Sequence, residues 1–401
     1  MLVILRKEAR DAAEKPGWLL VYGRRKVGKT FMVKKTLKWD AYFLVRRDLA
    51  IIAEGANQVN GLQAFYEEVK RLLREGKTVV VDEFQRLPES FLDEVASVHP
   101  YGRLILLGSS LRVVHRVFGS GSPLLGLVSE KKLGLVLPSD AFEFLCKRFP
   151  PEKALMLAPY IRDPWTVEHL GRGEPVKIVY EILRGAKHTI PALVGEVFTE
   201  EERQLTVAYE AILRLIGSGM WRTTEIASTL YGRGFLKQAD SRAVAPYLSH
   251  MEEMDLIESV EIYRSRAHYL KLKSPIMEAF YYLVDRYAFD EVDVSFGEVR
   301  PTLERLMNIH VQDFVSQLLA ERRQGTRMYY FTPAQEIDFI IAVRGRPEVV
   351  GEVKLGRVSR RDLMKFAEGA RIFPDAEKIF VCRREMKQPG ITVLTPQKLR
   401  E

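Results

Sequence analysis

The chain alternates between short, continuous apolar runs and longer stretches in which apolar residues recur every three or four positions. "WLLVY" (18–22), "KTVVVD" (77–82) and "RLILLGSS" (103–110) are of the first kind, each bounded by polar turns. Such runs predict strands buried on both faces of a parallel sheet. "TFMVKKTL" (30–37) has helical spacing. Beyond residue 197, "FTEEERQLTVAYEAILRLIGSG" and "RTTEIASTL" read as two helices, the second opened by a Thr-Thr-Glu cap. A third, "ADSRAVAPYLSHMEEM", places Val244, Leu248 and Met251 on one face. Two β-rich pieces, "LIESVEIY" and "AHYLKL", then flank the basic turn "RSRA" (264–267). From about Arg300 the pattern is a helix, three strands ("RMYYF", "EIDFIIAV", "EVVGEVKLG"), a helix "SRRDLMKFAEGA" and a strand "KIFVC".

These elements predict an α/β multidomain protein, and 401 residues exceed one typical core. The expected divisions are 1–140, 141–198, 199–290 and 291–401, with linkers near 140, 198 and 290. A content of 47% hydrophobic and 28% charged residues is that of a globular chain. The two cysteines, Cys146 and Cys382, lie far apart and form no metal-binding cluster, which suits a reducing cytoplasm. No apolar run approaches the roughly 18 residues of a spanning helix. The net charge is +8, and Gly356–Glu401 holds eleven Lys/Arg against six Asp/Glu. A basic surplus suits nucleic acid, although charge alone is equally a solvated surface.

Chemistry enters with Gly23-Arg24-Arg25-Lys26-Val27-Gly28-Lys29-Thr30, a complete G-x-x-x-x-G-K-[ST] between a strand and a helix. Glycines let backbone N–H groups surround phosphates, and the emerging helix turns its positive end towards them. Lys29 is suited to the β- and γ-oxygens and the Thr30 hydroxyl to Mg²⁺. The valine strand (Walker B, as the P-loop is Walker A) delivers Asp82 and Glu83 at its carboxyl end, where open α/β sheets hold ligands. Asp82 is expected to hold Mg²⁺ and Glu83 to polarise the attacking water. Ser109 and Ser110 end a third strand; in P-loop ATPases of the AAA-like type, which this arrangement resembles, a polar residue here helps position that water. Strands also often end in Gly-Ser turns. ATP and Mg²⁺ are the cofactors expected.

"GSGSPLLGLVSEKKLGLVLPSDAFEFL" (119–145) resembles the segment after this strand in archaeal ATPases of the STAND class, AAA-related proteins read as switches. "GRGEP" (171–175) resembles their Gly-x-Pro, in a helical lid where Pro175 approaches the adenine. Relatives carry Gly-Arg where this chain has Gly126-Leu127, and their Arg-Glu motif before the P-loop is faint in "LRKEARDAA". The helix-helix-helix-hairpin order is that of a winged helix. Its third helix carries Glu252, Glu253 and Asp255 against Arg242 and His250, a poor match to phosphate. Arg242, Arg264 and Arg266 are the candidate DNA contacts.

The α-β-β-β-α-β order of the last segment is that of the PD-(D/E)xK nuclease core. Asp338 lies on its second strand and Glu352-Val353-Lys354 on its third, so Glu352 and Lys354 face the same way. Asp338 and Glu352 form a hard-oxygen pair suited to Mg²⁺, with Lys354 to orient water or neutralise phosphorane charge. A cross-strand Asp–Lys pair explains the same charges. Such nucleases offer a glutamate on the first helix, where this chain has Gln312, with Asp313 or Glu304 as substitutes.

The expected architecture is therefore a P-loop (RecA/AAA-like) parallel sheet, helical lid, winged helix and PD-(D/E)xK-like domain. The expected function is an ATP-binding and ATP-hydrolysing switch that acts on double-stranded DNA through a Mg²⁺-dependent C-terminal site. It is cytoplasmic and off the membrane, as a homo-oligomer or with a partner protein. The alternative is an ATP-dependent DNA- or protein-binding regulator whose nuclease fold is an inactive platform, a plan shared in part with archaeal origin-recognition initiators.

Overall fold

All five positions of Trp18–Tyr22 are buried, because the strand is covered on both sides. Trp18, Leu20 and Tyr22 join one apolar cluster; Leu19 and Val21 join another on the opposite face. The computed structural model describes residues 2–55, 58–59, 61–109, 112–201, 206–332 and 335–400. By its internal contacts the chain divides into two units. One comprises Leu5–Leu135 with Gly195–Gln204; the other comprises Met1–Ile4, Val136–Val194 and Leu205–Glu401.

In the first unit the order is α1 (Lys7–Glu14), β1 (Trp18–Tyr22), α2 (Lys29–Thr36), β2 (Ala41–Val45), β3 (Ile51–Ala53), β4 (Gln58–Val59), α3 (Leu62–Arg74), β5 (Thr78–Asp82), α4 (Ser90–Ala96), β6 (Arg103–Gly108), α5 (Arg112–Phe118) and β7 (Val128–Lys132). The sheet runs β4-β3-β2-β5-β6-β1-β7 and is parallel from β2 to β7. Val79, Val80 and Val81 are fully buried, each worth about 1.5–3 kcal/mol of transfer free energy. The three strands expected from apolar runs are thus β1, β5 and β6, and β6 lies between the other two.

The second unit begins with α6 (Pro138–Cys146), α7 (Pro151–Leu157), α8 (Pro175–Gly185) and α9 (Thr189–Glu200), the last shared with the first unit. Then follow α10 (Val207–Gly217), α11 (Thr223–Gly232), α12 (Ser241–Glu253), the antiparallel pair β8 (Ile257–Glu261) and β9 (His268–Leu272), and α13 (Pro275–Tyr287). Val244, Leu248 and Met251 are the buried face of α12, as their spacing predicts. The unit boundaries at Leu135/Val136 and Val194/Gly195 fall within five residues of the linkers expected near 140 and 198, and the helices on the far side of each begin or continue across those positions. Asp140 and Phe198 are buried inside α6 and α9, where a proline at the first helical turn and a continuing apolar face carry the helix through.

The C-terminal elements are α14 (Phe296–Arg323), β10 (Thr326–Thr332), β11 (Gln335–Val343), β12 (Arg346–Lys354), α15 (Arg360–Gly369), β13 (Glu377–Cys382) and β14 (Thr392–Leu394). Their sheet order is β10-β11-β12-β13-β14, antiparallel as far as β12 and parallel after it. The α14 helix starts earlier than its apolar spacing suggests, at a capping box of Ser295 with Glu298. Arg344 and Gly345, both at positive φ, make the tight β11–β12 turn. Ile340, Val350 and Phe380 on one face pack against Leu363 and Phe366 of α15. Among the described residues no helix is long and apolar enough to cross a membrane.

Candidate functional site

The loop between β1 and α2 takes its shape from glycine. Gly23 has φ 149°, and a Cβ there would lie 2.0 Å from the carbonyl oxygen of Leu133. Gly28, at φ 93°, caps α2 from the left-handed region. Lys29 is 6% exposed, and its Nζ donates to the carbonyls of Gly23 at 2.7 Å and Arg24 at 3.0 Å. The ammonium is thus held inside the ring of peptide groups that the motif predicts. From the far side, Arg6 Nη1 donates to the carbonyl of Val27 at 2.8 Å, and Arg6 pairs with Glu8 at 2.7 Å. The faint Arg-Glu of "LRKEARDAA" is therefore a physical clasp on the loop.

Adjacent parallel strands bring Asp82 into reach of the loop. Thr30 Oγ1 donates to Asp82 Oδ2 at 2.8 Å, and Tyr42 Oη donates to the same oxygen at 2.5 Å. Burial first, and then the charge of Asp82, hold the Tyr42 phenol far above its ordinary range, so it stays a donor. Glu83 leaves the strand at φ 59° and is turned sideways. Its Oε2 accepts from Gln85 at 2.9 Å and pairs with Arg86 at 2.9 Å. Because β6 lies beside β5, Ser109 arrives here too, donating to Glu83 at 3.5 Å and accepting from Gln85 Nε2 at 3.0 Å. Ser110 lies outside the described residues.

Arg24 and Val27 are buried, Lys26 takes φ 65°, and Arg25 pairs with Glu196 at 3.3 Å. Leu127, where relatives carry arginine, packs against the sheet's apolar cluster. Pro175 is the first residue of α8 in the second unit, after Gly173 at φ 127°. Tyr42, Gln85 and Arg86 were not singled out from the sequence. Gln85 and Arg86 follow Glu83 at one-turn spacing, a readable signal; Tyr42 inside "AYFLV" gives none, because only the β2–β5 pairing brings it to Asp82.

In the second unit, the β11–β12 pairing ends at Phe339 opposite Gly351. A Cβ on Gly351 would meet the Phe339 ring at 2.1 Å, so this glycine fixes the close approach. Beyond that point side chains replace the strand partner. Asp338 Oδ2 accepts from the N–H of Val353 at 2.7 Å, and Gln312 Nε2 of α14 reaches the Val353 carbonyl at 3.4 Å. Glu352 and Lys354 flank Val353 on one face, opposite Phe380 and Cys382 of β13. Asp338 and Gln312 thus both bond the backbone of Val353, the residue between Glu352 and Lys354.

Three features differ from the expected set. Lys354 Nζ is held by Asp362 of α15, whose carboxyl lies well below the ordinary range because of that ammonium and then the Ser359 hydroxyl and N–H. Asp313, a candidate substitute for Gln312, is instead buried among Lys271, Arg327 and Tyr329. Glu304, the other candidate, pairs with Arg300 at 2.8 Å. Among the described residues no three His, Cys, Asp or Glu side chains gather as metal ligands.

Residues 15–127 match the family model described as an AAA domain. This segment is an AAA-like P-loop ATPase domain. Among curated proteins the sequence has no significant match. Among solved structures it is similar to the ORC2 protein of Aeropyrum pernix in ADPNP–ADP complexes, at 14% identity over 75% of this chain and 92% of that one, TM-score 0.39. It is similar to the ORC1 protein of Aeropyrum pernix in complex with DNA, at 16% identity over 71% and 93%, TM-score 0.31. It is also similar to Cdc6p of Pyrobaculum aerophilum, at 14% identity over 74% and 90%, TM-score 0.28.

Proposed function

We propose that this ATPase is a STAND-type switch that acts on double-stranded DNA through its C-terminal sheet, read as a PD-(D/E)xK nuclease fold. The carrying observation is the peptide of Val353. Its N–H is taken by Asp338 and its carbonyl by Gln312, where β11 and β12 part, between the side chains of Glu352 and Lys354. A strand pair opened at its end, with two acidic residues and a lysine around the opening, is suited to a phosphodiester and a hard cation. Asp338 and Glu352 would hold Mg²⁺, which supplies Lewis-acid activation of water. Lys354, on leaving Asp362, neutralises charge developing on the phosphate.

At the other site, Gly23–Thr30 surrounds the phosphates of ATP. Lys29 exchanges the carbonyls of Gly23 and Arg24 for phosphate oxygens, a stronger, charge-assisted partner. Thr30 and Asp82 offer oxygen ligands to Mg²⁺, which neutralises phosphate charge. Glu83 orients the attacking water, with Ser109 beside it. We read α10 to β9 as a winged helix, supported by three helices followed by an antiparallel hairpin. Arg242 pairs with Asp240 at 3.0 Å, which leaves Arg264 and Arg266 of the hairpin turn as its better DNA contacts.

Lys29→Ala should abolish nucleotide binding, whereas Asp338→Ala and Glu352→Gln should spare it and remove Mg²⁺- or Mn²⁺-dependent plasmid nicking. Nicking that survives Asp338→Ala would sink the site assignment. A second reading rests on Lys354, whose ammonium is bound by Asp362, and on the neutral Gln312. Both favour an inactive nuclease-fold platform in an ATP-dependent DNA- or protein-binding regulator, for which DNA shifts without nicking are the expected result.

A further inference from the structure

The ATPase unit contains an open cleft of about 490 Å³ that none of Lys29, Thr30 or Asp82 lines. Its walls are Arg25, Arg46, Arg47, Asp48 and Arg86: four guanidinium groups against one carboxylate. Arg46 and Arg47 sit on the turn after β2, which closes through Leu49 N–H to the Arg46 carbonyl at 3.1 Å. Arg86 is fixed at the cleft by donating to the Val45 carbonyl at 2.7 Å while pairing with Glu83. Arg25 spends part of its charge on Glu196, and Arg46 on Asp48 at 3.6 Å. Arg47 is exposed and has no ion-pair or hydrogen-bond partner among the described residues.

Four planar forks converging on one cleft match phosphate oxygens, which arginine binds in pairs. The cleft's openness decides between a compact anion and a polymer. The Arg46 side chain is 56% exposed, so a single small anion there competes with bulk salt, whereas a polyanion releases counterions at every contact. We propose that this cleft binds the phosphodiester backbone of a single nucleic-acid strand, beside the nucleotide site. The site is separate from the C-terminal one and shares with the reading above only the class of ligand.

The test uses the full chain with ADP and a fluorescein-labelled single-stranded oligonucleotide, followed by anisotropy across a salt series without divalent metal. Arg46→Ala/Arg47→Ala should weaken binding by about tenfold and lower the salt slope by about 1.4, roughly 0.7 per lost phosphate contact on a single strand. ADP affinity and melting temperature should not change, and Arg46→Lys/Arg47→Lys should restore most of the slope. The series contains no divalent metal, so its outcome is independent of whatever the nicking assay shows for the C-terminal site. The proposal is overturned by no binding in the unaltered chain, by unchanged affinity and slope in the double alanine variant, or by lost ADP affinity with oligonucleotide binding intact. Displacement by inorganic tripolyphosphate as effective, per phosphate, as by unlabelled oligonucleotide would also overturn it and make the cleft a compact polyphosphate site.

Discussion

Tyr42 donates its hydroxyl to Asp82 at 2.5 Å, on the oxygen that also accepts from Thr30. The carboxylate is 2% exposed and depends on these donors to offset its desolvation. Tyr42→Phe removes one donor and should cost about 1–3 kcal/mol of stability. The P-loop backbone is untouched, so ATP affinity should persist, and Mg²⁺ with ADP should recover part of the loss by supplying a new partner for Asp82. Urea unfolding with and without Mg²⁺–ADP measures both; an unchanged midpoint in the apo protein would argue against the bond.

Gln312→Glu tests the C-terminal site by restoring charge. The variant cannot donate to the Val353 carbonyl and should be slightly less stable without metal. A third carboxylate near Asp338 and Glu352 should raise Mn²⁺ affinity about tenfold, through added ligand charge. Calorimetric titration and metal-dependent thermal shifts read this, and equal Mn²⁺ affinity in both proteins would place Gln312 outside the site.

Asp362 makes a pH prediction. Its carboxyl is held below the ordinary value of 3.8 by Lys354, then by Ser359. A depressed carboxylate stabilises the fold above its unfolded pKa and loses that contribution as pH falls through the lower folded value. Asp362→Asn should therefore melt earlier than the unaltered protein at neutral pH, and the two should converge only well below pH 3.8. Melting curves across an acid series check this.

Lys271 of β9 binds Asp313 of α14 at 2.8 Å, both side chains 5% exposed, with Glu278 at 3.9 Å. Lys271→Met leaves buried carboxylates short of a cation and should cost about 3–5 kcal/mol. Adding Asp313→Asn should cost less than its effect alone, because the two share one network. Denaturant midpoints of the four proteins give the coupling.

What the sequence revealed depended on how local each signal was. Gly23–Thr30 and the valine run before Asp82 fix their own geometry, and Glu352 and Lys354 share a face by strand period alone. The Arg344–Gly345 turn likewise announces the β11–β12 pairing that sets Asp338 beside Val353. Hidden were the bonds that the folded sheets create between distant residues: Arg6 with Val27, Tyr42 with Asp82, Arg327 with Asp313. Asp362 could have been found, since Ser359 three positions earlier completes a capping box. The proline of "LPSDAF" at the first turn of α6 is at home there.

The clasp of Arg6 on Val27 and the seat of Gly23 against Leu133 bear on where this chain can be cut. A fragment trimmed to residues 15–127 would keep the whole phosphate-binding motif yet lose α1, whose Ala9 and Ala12 cover one face of the sheet, and the strand β7 that borders β1. It would expose Leu19 and Val21 and release the loop on two sides. The nucleotide-binding property therefore belongs to a longer piece than its sequence signature, and expressing the signature alone is a recipe for an insoluble product.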